Sequence, residues 1–550
     1  MDPVTVVVVP ARDEQDRIGA CLEALAAQTV GLSAFETILV ADGCQDRTEP
    51  VARETAERLG LSLTILQGPG AGSGPARGLG MDVAAERLRS RGLPRGLIAT
   101  TDADSEPAPD WLERQLAHLE RGADVIAGAI ELAAEATELP VAVLDRRRRD
   151  AAARMAEITA TDPGAAHHHF AGASLGVSAD VYRRVGGIDA TPALEDEAFA
   201  GTLARHRIPI LRPADVRVRT AVRTDGRAAR GLSVDLAVST WLGRRRFAAA
   251  DFDFERLRAH AGRPSVTVVI PARECAETIA GVIELTVGPA REAGLVDDVV
   301  VVDAASADGT ADRAAVAGAR VLQQDALAPE LGPAQGKGDA MWRALAATGG
   351  EIVCFLDADT EDPDPGHLLG LLGPLLTDPE IALVKGAFAR PFNAGGHALA
   401  DQGGRVTELM ARPLLNLHFP LLAGFTQPLA GEFAARRRLL ERLPFPVGYG
   451  IEIALLIDAL DELGLDALAE CRIGSRQNRH QPLRALGEMA FAVLAAVEHR
   501  IEGPRSATGG QFLRPWEDGR TVRVPVGERP PLGSPSESVL GEPRTAVGAT

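Results

Sequence analysis

Two pairs of aspartates set the chemistry open to this chain. Asp102 and Asp104 close the run LIATTDADSE, and Asp357 and Asp359 close IVCFLDADTE. Residues two apart in an extended chain point the same way, so each pair is able to converge on one cation. A hard divalent ion held by two carboxylates keeps open positions for phosphate oxygens. It also neutralises a nucleoside diphosphate as that group departs. A D-x-D alone is a weak signal, because surface turns are rich in aspartate. Here each pair is preceded by an earlier aspartate that ends another apolar run, Asp42 in ILVADGCQDRT and Asp303 in VVVVDAASADGT. Pro10 to Asp42 and Pro271 to Asp303 are both 32 residues apart, and VTVVVVPARDEQDRI and VTVVIPARECAETI open the two series. Three landmarks in one order mark two related domains in tandem, not a solenoid.

The second series carries further groups. Gly336-Lys337-Gly338 joins a flexible backbone to a single cation, which suits a donor diphosphate. Gly403-Gly404-Arg405-Val406-Thr407 leaves backbone amides uncovered and adds a guanidinium and a hydroxyl, a combination that cradles a phosphate. Glu432 in LAGEFAA and Glu452 in GYGIEIALL lie among apolar residues, where a carboxylate is usually paired or functional. In the first series, Glu195-Asp196 in ALEDEAF offers a carboxylate able to take a proton from an acceptor hydroxyl, against the plainer role of an acidic helix start. His167, His168 and His169 are adjacent and share no face, so they predict a loop and not a metal cluster.

The elements that hold these groups alternate between strand and helix. Residues 4–9 are continuously β-branched, as in a strand covered on both faces. Asp16 to Leu25 carries a helical pattern, with Ile18, Cys21, Leu22 and Leu25 on one face. Strands are expected at 37–41, 63–66 and 97–100, and again at 266–270, 299–302, 319–322 and 352–356. That order predicts two tandem α/β domains with mostly parallel or mixed sheets, whose ligands bind beyond the carboxyl ends of the strands. The aspartates stand there. Residues 251–264, DFDFERLRAHAGRP, lose the sheet pattern and are expected to link a first domain, 1–250, to a second, 265–505. Residues 506–550 are rich in Gly, Pro, Ser and Arg and predict a mobile tail with a short ordered piece at 511–516.

Composition sets bounds. The 550 residues exceed what one core supports, and 46% apolar content suffices for two. A net charge of −18 argues against a nucleic-acid or anionic-membrane surface. The five cysteines include no C-x-x-C pair, which disfavours structural zinc and a disulfide framework. No leader precedes Val4 and no apolar run is long enough to span a bilayer, so the expected location is the cytoplasm. Neither opening strand leads into G-x-G-x-x-G, which disfavours a dinucleotide-dependent dehydrogenase.

On these residues both series resemble nucleotide-sugar-dependent glycosyltransferases of the GT-A fold. The first resembles family 2 in VPARDE, the Asp42 turn, D-A-D, FAGASLGVSADVYRRVGGID and ALEDEAF. That likeness implies an inverting transfer with Asp196 as base, Asp42 and Asp102 at the donor and Asp104 at the metal. The second is similar over most of residues 266–504 to the glucosyl-3-phosphoglycerate synthases, retaining enzymes of family 81. The likeness rests on GKGDAMWRALAATGGEIVCFLDADTEDP, ALVKGAFARPF and the joint presence of G-G-R-V-T-E-L, Q-P-L-x-G-E and G-Y-G-x-E-I. It implies transfer of glucose from a nucleoside-diphosphate-glucose to 3-phosphoglycerate with Mg2+ or Mn2+. It places Ala272, Arg273, Asp303, Lys337 and Asp357 at the donor. It places Arg405 and Thr407 at the acceptor phosphate, and Glu432 beside the transferred sugar. Asp357 and Asp359 face the metal, Asp359 as a catalytic group. A homodimer fits this reading.

Three stretches depart from the family pattern. Pro271-Ala272-Arg273-Glu274-Cys275 replaces P-A-L-N-E, and Asp303-Ala304-Ala305-Ser306-Ala307 replaces D-S-G-S-T. Both face the nucleotide base in the family. Asn478-Arg479-His480 replaces H-R-N, which leaves the metal and acceptor roles open between Asn478 and His480. The rival readings are transfer by the first domain to another acceptor, or one domain serving as a non-catalytic scaffold.

Overall fold

The computed structural model describes residues 4–133, 141–189, 191, 194–221, 231–259, 262–390, 392–394, 397–399, 403–476, 483–503 and 510–533. It divides into two compact units, 1–243 and 244–550.

The first unit is built on a six-stranded sheet. Its order is 63–67, 35–41, 5–11, 97–100, 175–178, 125–127. The first four strands run parallel, with Thr5 opposite Phe35 and Leu97. Leu175–Ser178 runs antiparallel to both of its neighbours. The β-branched run at the start of the chain is buried on both sides, and its residues alternate between two cores. Val7, Val9 and Ala11 join one with Leu39 and Trp111; Val6 and Val8 join the other with Ile38 and Met81. The period of two in a strand requires this division once helices cover both faces.

The second unit repeats the plan with an eight-stranded sheet, ordered 246–248, 468–475, 383–389, 433–436, 352–355, 266–272, 298–303, 320–323. Val266–Ala272 pairs in parallel with Asp298–Asp303 and Ile352–Phe355. Phe433–Arg436 runs antiparallel between Ile352–Phe355 and Leu383–Ala389. The expected α/β class with parallel and mixed sheets is therefore present in both units.

Two expected boundaries are displaced. Residues 244–250, expected in the first domain, fall in the second unit, where Arg246–Ala248 adds an edge strand beside Leu468–Ser475. Within the expected linker 251–264, Phe254–Arg258 forms a helix capped by the Asp253 carboxylate. A three-residue strand is too short to show a period, so the sequence pattern could not reveal it. The expected mobile tail is ordered well beyond 511–516. Gly510–Arg514 and Arg520–Val524 form a hairpin, and Glu528–Arg529 pairs with Phe445–Pro446. Among the described residues no helix is long and apolar enough to cross a membrane.

Candidate active site

In the second unit the predicted loop Gly336-Lys337-Gly338 opens the helix Lys337–Ala347. A Cβ on Gly338 would run into the Pro446 carbonyl, so only glycine lets this helix start lie against that turn. The close approach delivers Lys337 to two carboxylates. Its Nζ donates to Asp357 Oδ1 at 2.7 Å and lies 2.9 Å from Glu452 Oε1. Asp357 stands just past the strand Ile352–Phe355, and Glu452 is the second residue of the helix Ile451–Leu463. Burial by itself would lower the Lys337 ammonium, but Asp357 and Glu452 outweigh it and hold the group well above its usual range. Burial likewise opposes ionisation of Asp357, and Lys337 overcomes it, so that carboxyl stays well below its usual value.

Asp359 behaves in the opposite way. Burial and then the charge of Asp357 push its carboxyl up. Two carboxylates that repel one another at the end of a strand form a donor set that a hard divalent cation relieves. Asp359 and Asp357 therefore fit Mg2+ or Mn2+ by charge and by ligand type. Asn478 and His480 lie outside the described residues.

Glu432 precedes the strand Phe433–Arg436 and is fully buried. The glycine before it is required, since a Cβ on Gly431 would collide with Asp357 and come within 2.6 Å of Lys337 Nζ. One Glu432 oxygen pairs with Arg476; the other, Oε2, is buried with no hydrogen-bond partner among the described residues. Burial pushes its carboxyl up to about 6, against the opposing charge of Arg476. Arg476 also donates to Thr360 Oγ1 and lies 3.1 Å from His367 Nδ1. Burial and the arginine drive His367 down to about 4, so the ring is neutral and accepts. The guanidinium of Arg390 stacks 5.0 Å from the Phe388 ring, on which Arg476 also rests, and its charge acts on both Asp357 and Glu432.

The loop at 403–407 folds back onto Arg390. Gly403 N–H donates to the Arg390 carbonyl at 2.9 Å, and Gly404 takes a left-handed φ of +69°. Arg405 is half-buried and Thr407 is buried at the start of the helical turn Thr407–Ala411. The structure thus brings Arg405 and Thr407 beside a second arginine that the motif reading had not singled out.

Of the residues expected at the donor, Ala272 closes its strand and Arg273 is exposed on the turn beyond it. That turn is laced to the one after Asp303: Glu274 N–H donates to Ser306 Oγ at 2.9 Å, and Ala307 N–H to Glu274 Oε1 at 2.9 Å. Asp303 Oδ2 accepts from the Ser306 amide and from Gln323, whereas its buried Oδ1 has no partner among the described residues.

In the first unit Asp42 sits at the corresponding strand end, but both its oxygens are engaged by a loop, accepting from Gly70 N–H at 2.6 Å and Gly72 N–H at 2.8 Å. Asp102 accepts from Arg77 at 2.7 Å, and the same guanidinium reaches Glu195 at 3.0 Å. Asp196 is the second residue of the helix Glu195–Arg205 and accepts from Gly172 N–H at 3.4 Å; burial and then Glu195 push its carboxyl up. Asp104 follows Asp102 at the strand end, beside the Ser105–Pro107 strand. The three histidines lie in a loop, as expected.

Sequence reasoning missed Lys385, Arg390, His367 and Arg476. Lys385 is buried, donates to the Ala430 carbonyl at 2.5 Å, and is driven down to about 8 by burial. One signal was available: among 58 basic residues the chain has only two lysines, Lys337 and Lys385, and both stand here.

Comparison with known proteins agrees with the two-copy plan. The family described as Glycosyl transferase family 2 matches residues 6–173 and again 267–424. Glucosyl-3-phosphoglycerate synthase from Mycolicibacterium paratuberculosis is 43% identical over 302 residues, 53% of this chain and 91% of that protein. The synthase of the same name from Mycolicibacterium smegmatis is 46% identical over 277 residues, 50% of this chain and 90% of that one. Among solved structures, mannosyl-3-phosphoglycerate synthase from Rubrobacter xylanophilus matches with 41% identity and a TM-score of 0.47, covering 53% of this chain and 97% of its own. Glucosyl-3-phosphoglycerate synthase from Mycobacterium tuberculosis, in complex with Mn2+ and UDP-glucose, matches with 43% identity and a TM-score of 0.45, covering 51% and 94%. With one family matched in both halves, over more than half of its residues, the chain belongs to glycosyl transferase family 2.

Proposed function

We propose that the second unit transfers a glucosyl group from a nucleoside-diphosphate-glucose, UDP-glucose in the first instance, to the 2-hydroxyl of 3-phosphoglycerate. The observation that carries this reading is the enclosed set of Lys337, Asp357, Asp359 and Glu432, with one oxygen of Glu432 left unpartnered among the described residues. Relatives above 40% identity that bear the synthase name support the substrates. Lys337 orients the donor diphosphate while Asp357 and Glu452 keep it charged. Glu432, held by Arg476, faces the sugar with its unpartnered oxygen. Arg405 and Thr407 hold the acceptor phosphate, and Arg390 adds a second positive charge at that end. Mg2+ or Mn2+ on Asp359 and Asp357 supplies charge neutralisation for the departing nucleoside diphosphate. In a retaining transfer the leaving phosphate oxygen takes the acceptor proton on the same face, so no separate base is required. Prearranged charges in an enclosed site supply much of the stabilisation.

For the first unit we keep an inverting transfer with Asp196 as base. The raised carboxyl of Asp196 at the helix start supports it, because a base is most useful near the working pH. All five cysteines are free thiols, which fits the cytoplasm.

The test is an assay of the full chain with UDP-, GDP- and ADP-glucose, with and without 3-phosphoglycerate. Release of nucleoside diphosphate should depend on the acceptor and yield a glucosylated phosphoglycerate. Release that ignores 3-phosphoglycerate with every donor removes the reading.

A further inference from the structure

We propose that the C-terminal segment 525–530 is a positioning strap that sets the Lys337–Glu452 ion pair from both sides, with Arg529 and Glu528 as its two grips. It lies outside the eight-stranded sheet, so building the unit's core does not account for it.

Adjacent residues of an extended chain point to opposite sides, and the two grips use this. Arg529 reaches the helix that begins at Lys337. Its Nε and Nη2 each donate to the fully buried Asp339 carboxylate at 2.8 Å. That carboxylate also accepts from the Gln335 amide at 2.9 Å and from Arg343 at 3.1 Å, so it ties together the residues on either side of Lys337. Trp342 Nε1, on the same helix, donates to the Pro530 carbonyl at 2.9 Å. Glu528 reaches the other way, to Arg500 at 2.8 Å, and Arg500 holds Asp458 on the helix that carries Glu452.

Between the grips the strap braces the turn that separates the two helices. Val447 N–H donates to the Gly527 carbonyl at 2.9 Å, and Asp339 N–H to the Val447 carbonyl at 3.1 Å. A Cβ on Gly448 would stand 2.6 Å from the Pro525 carbonyl. The strap, the turn and the Lys337 helix start are therefore in direct succession. Lys337 and Glu452 meet at 2.9 Å across them. A bidentate guanidinium grip fixes direction as well as distance, which a single lysine charge does not.

The test has two arms, and only the kinetic one rests on the proposed transfer. The full chain, with Arg529→Ala, Arg529→Lys or Glu528→Gln, is acylated with acetic anhydride and read by mass spectrometry. With two lysines in the chain and Lys385 buried, Lys337 is the reporting side chain. Arg529→Ala should raise Lys337 acylation several-fold, and Arg529→Lys by less. In the kinetic arm, the KM for UDP-glucose with Mn2+ should rise about 10-fold in Arg529→Ala with kcat less affected, the scale set by modest misplacement of a charged contact. On a Lys337→Ala background the same substitution should add no further loss, because both act through one group. Parental acylation of Lys337 in both Arg529→Ala and Glu528→Gln overturns the proposal, as does a full additional KM loss on the Lys337→Ala background. Should Arg529→Ala fail to fold, Arg529→Lys and Glu528→Gln decide. Should the parent show no transfer, acylation alone decides.

Discussion

Each unit neutralises the first aspartate of its D-A-D pair with a cation that also reaches a carboxylate at the start of a later helix, and the two cations differ in what they have left to give. In the first unit Arg77 donates to Asp102, Glu195, Thr100 and the Gly172 carbonyl, and its side chain is 3% exposed. Four of its five N–H groups are spent. In the second unit Lys337 holds Asp357 and Glu452 with a side chain that is 22% exposed. The earlier aspartates diverge in the same sense. Asp42 gives both oxygens to its own loop, whereas among the described residues Asp303 keeps one buried oxygen unpartnered. An unpartnered buried acceptor costs stability unless something else fills it. Among the described residues Asp303 and Glu432 each carry such an oxygen, and the Arg476 that holds Glu432 keeps a buried Nε–H donor without a partner. Related folds thus hold one site whose Asp42 is closed on its own loop and one whose Asp303 and Glu432 each leave an oxygen for a ligand.

The sharpest test of that contrast is removal of the matched second aspartates. Asp359→Ala should lower transfer to 3-phosphoglycerate by about 10^3-fold or more, the scale of losing a charge that stabilises the leaving group. Asp104→Ala should leave that reaction at the parental rate. EDTA should reproduce the Asp359 loss and Mn2+ should reverse it. An equal loss in Asp104→Ala, measured by acceptor-dependent release of UDP, breaks the division between the units.

The two cations should separate stability from rate. Lys337→Ala should lower transfer by about 10^2-fold, since a charged contact to the donor diphosphate is lost. Arg77→Ala should leave transfer unchanged but strip the buried Glu195 of its partner. Breaking a buried pair in this way costs about 3–5 kcal/mol, read as an earlier thermal transition in the first unit. Loss of transfer in Arg77→Ala with no change in melting reverses the assignment.

Much of this contrast was legible before the fold was known. Strand-end aspartates, the glycine-flanked Lys337 and the apolar setting of Glu432 are local patterns, and each follows from spacing or from the cost of burying a charge. The partners were not legible. Arg476 lies 44 residues from Glu432 and meets it only because two strand ends come together around Leu383–Ala389. Arg246–Ala248 is too short to show a period, and Glu528–Arg529 is a strand only because Phe445–Pro446 lies beside it. Lys385 had a compositional signal, the near-absence of lysine, but composition gives no position in space. Whether Asp42 and Asp303 are spent or available is decided by loop amides, which sequence type does not encode.

The contrast also has a pH signature. Burial favours the neutral form of Glu432, so its charged form prevails above about pH 6 and is lost as pH falls through that value. If the charged form serves the sugar, kcat/KM should fall on the acid side with a midpoint near 6, and Glu432→Gln should abolish that limb while lowering the plateau. An unchanged limb in Glu432→Gln assigns it to another group.

The smallest expected effects lie at the acceptor, where the first unit has no counterpart of Gly403–Thr407. Arg405→Ala should raise the KM for 3-phosphoglycerate by about 10- to 100-fold, since hydrogen bonds to charged groups contribute about 1.5–3 kcal/mol. Thr407 should matter less. Its side chain is buried at the start of a helical turn, close against Gly404. Valine keeps its branched shape and removes only the hydroxyl, and a neutral hydrogen bond is worth about 0.5–1.5 kcal/mol, or roughly 2- to 10-fold in KM. The KM for UDP-glucose should stay at the parental value, because Lys337 and Asp357 are untouched. A Thr407→Val enzyme with parental KM for both substrates makes the hydroxyl part of the helix start, and leaves the acceptor phosphate to Arg405 and Arg390. A rise in the UDP-glucose KM alone moves the loop to the donor side and redraws the site.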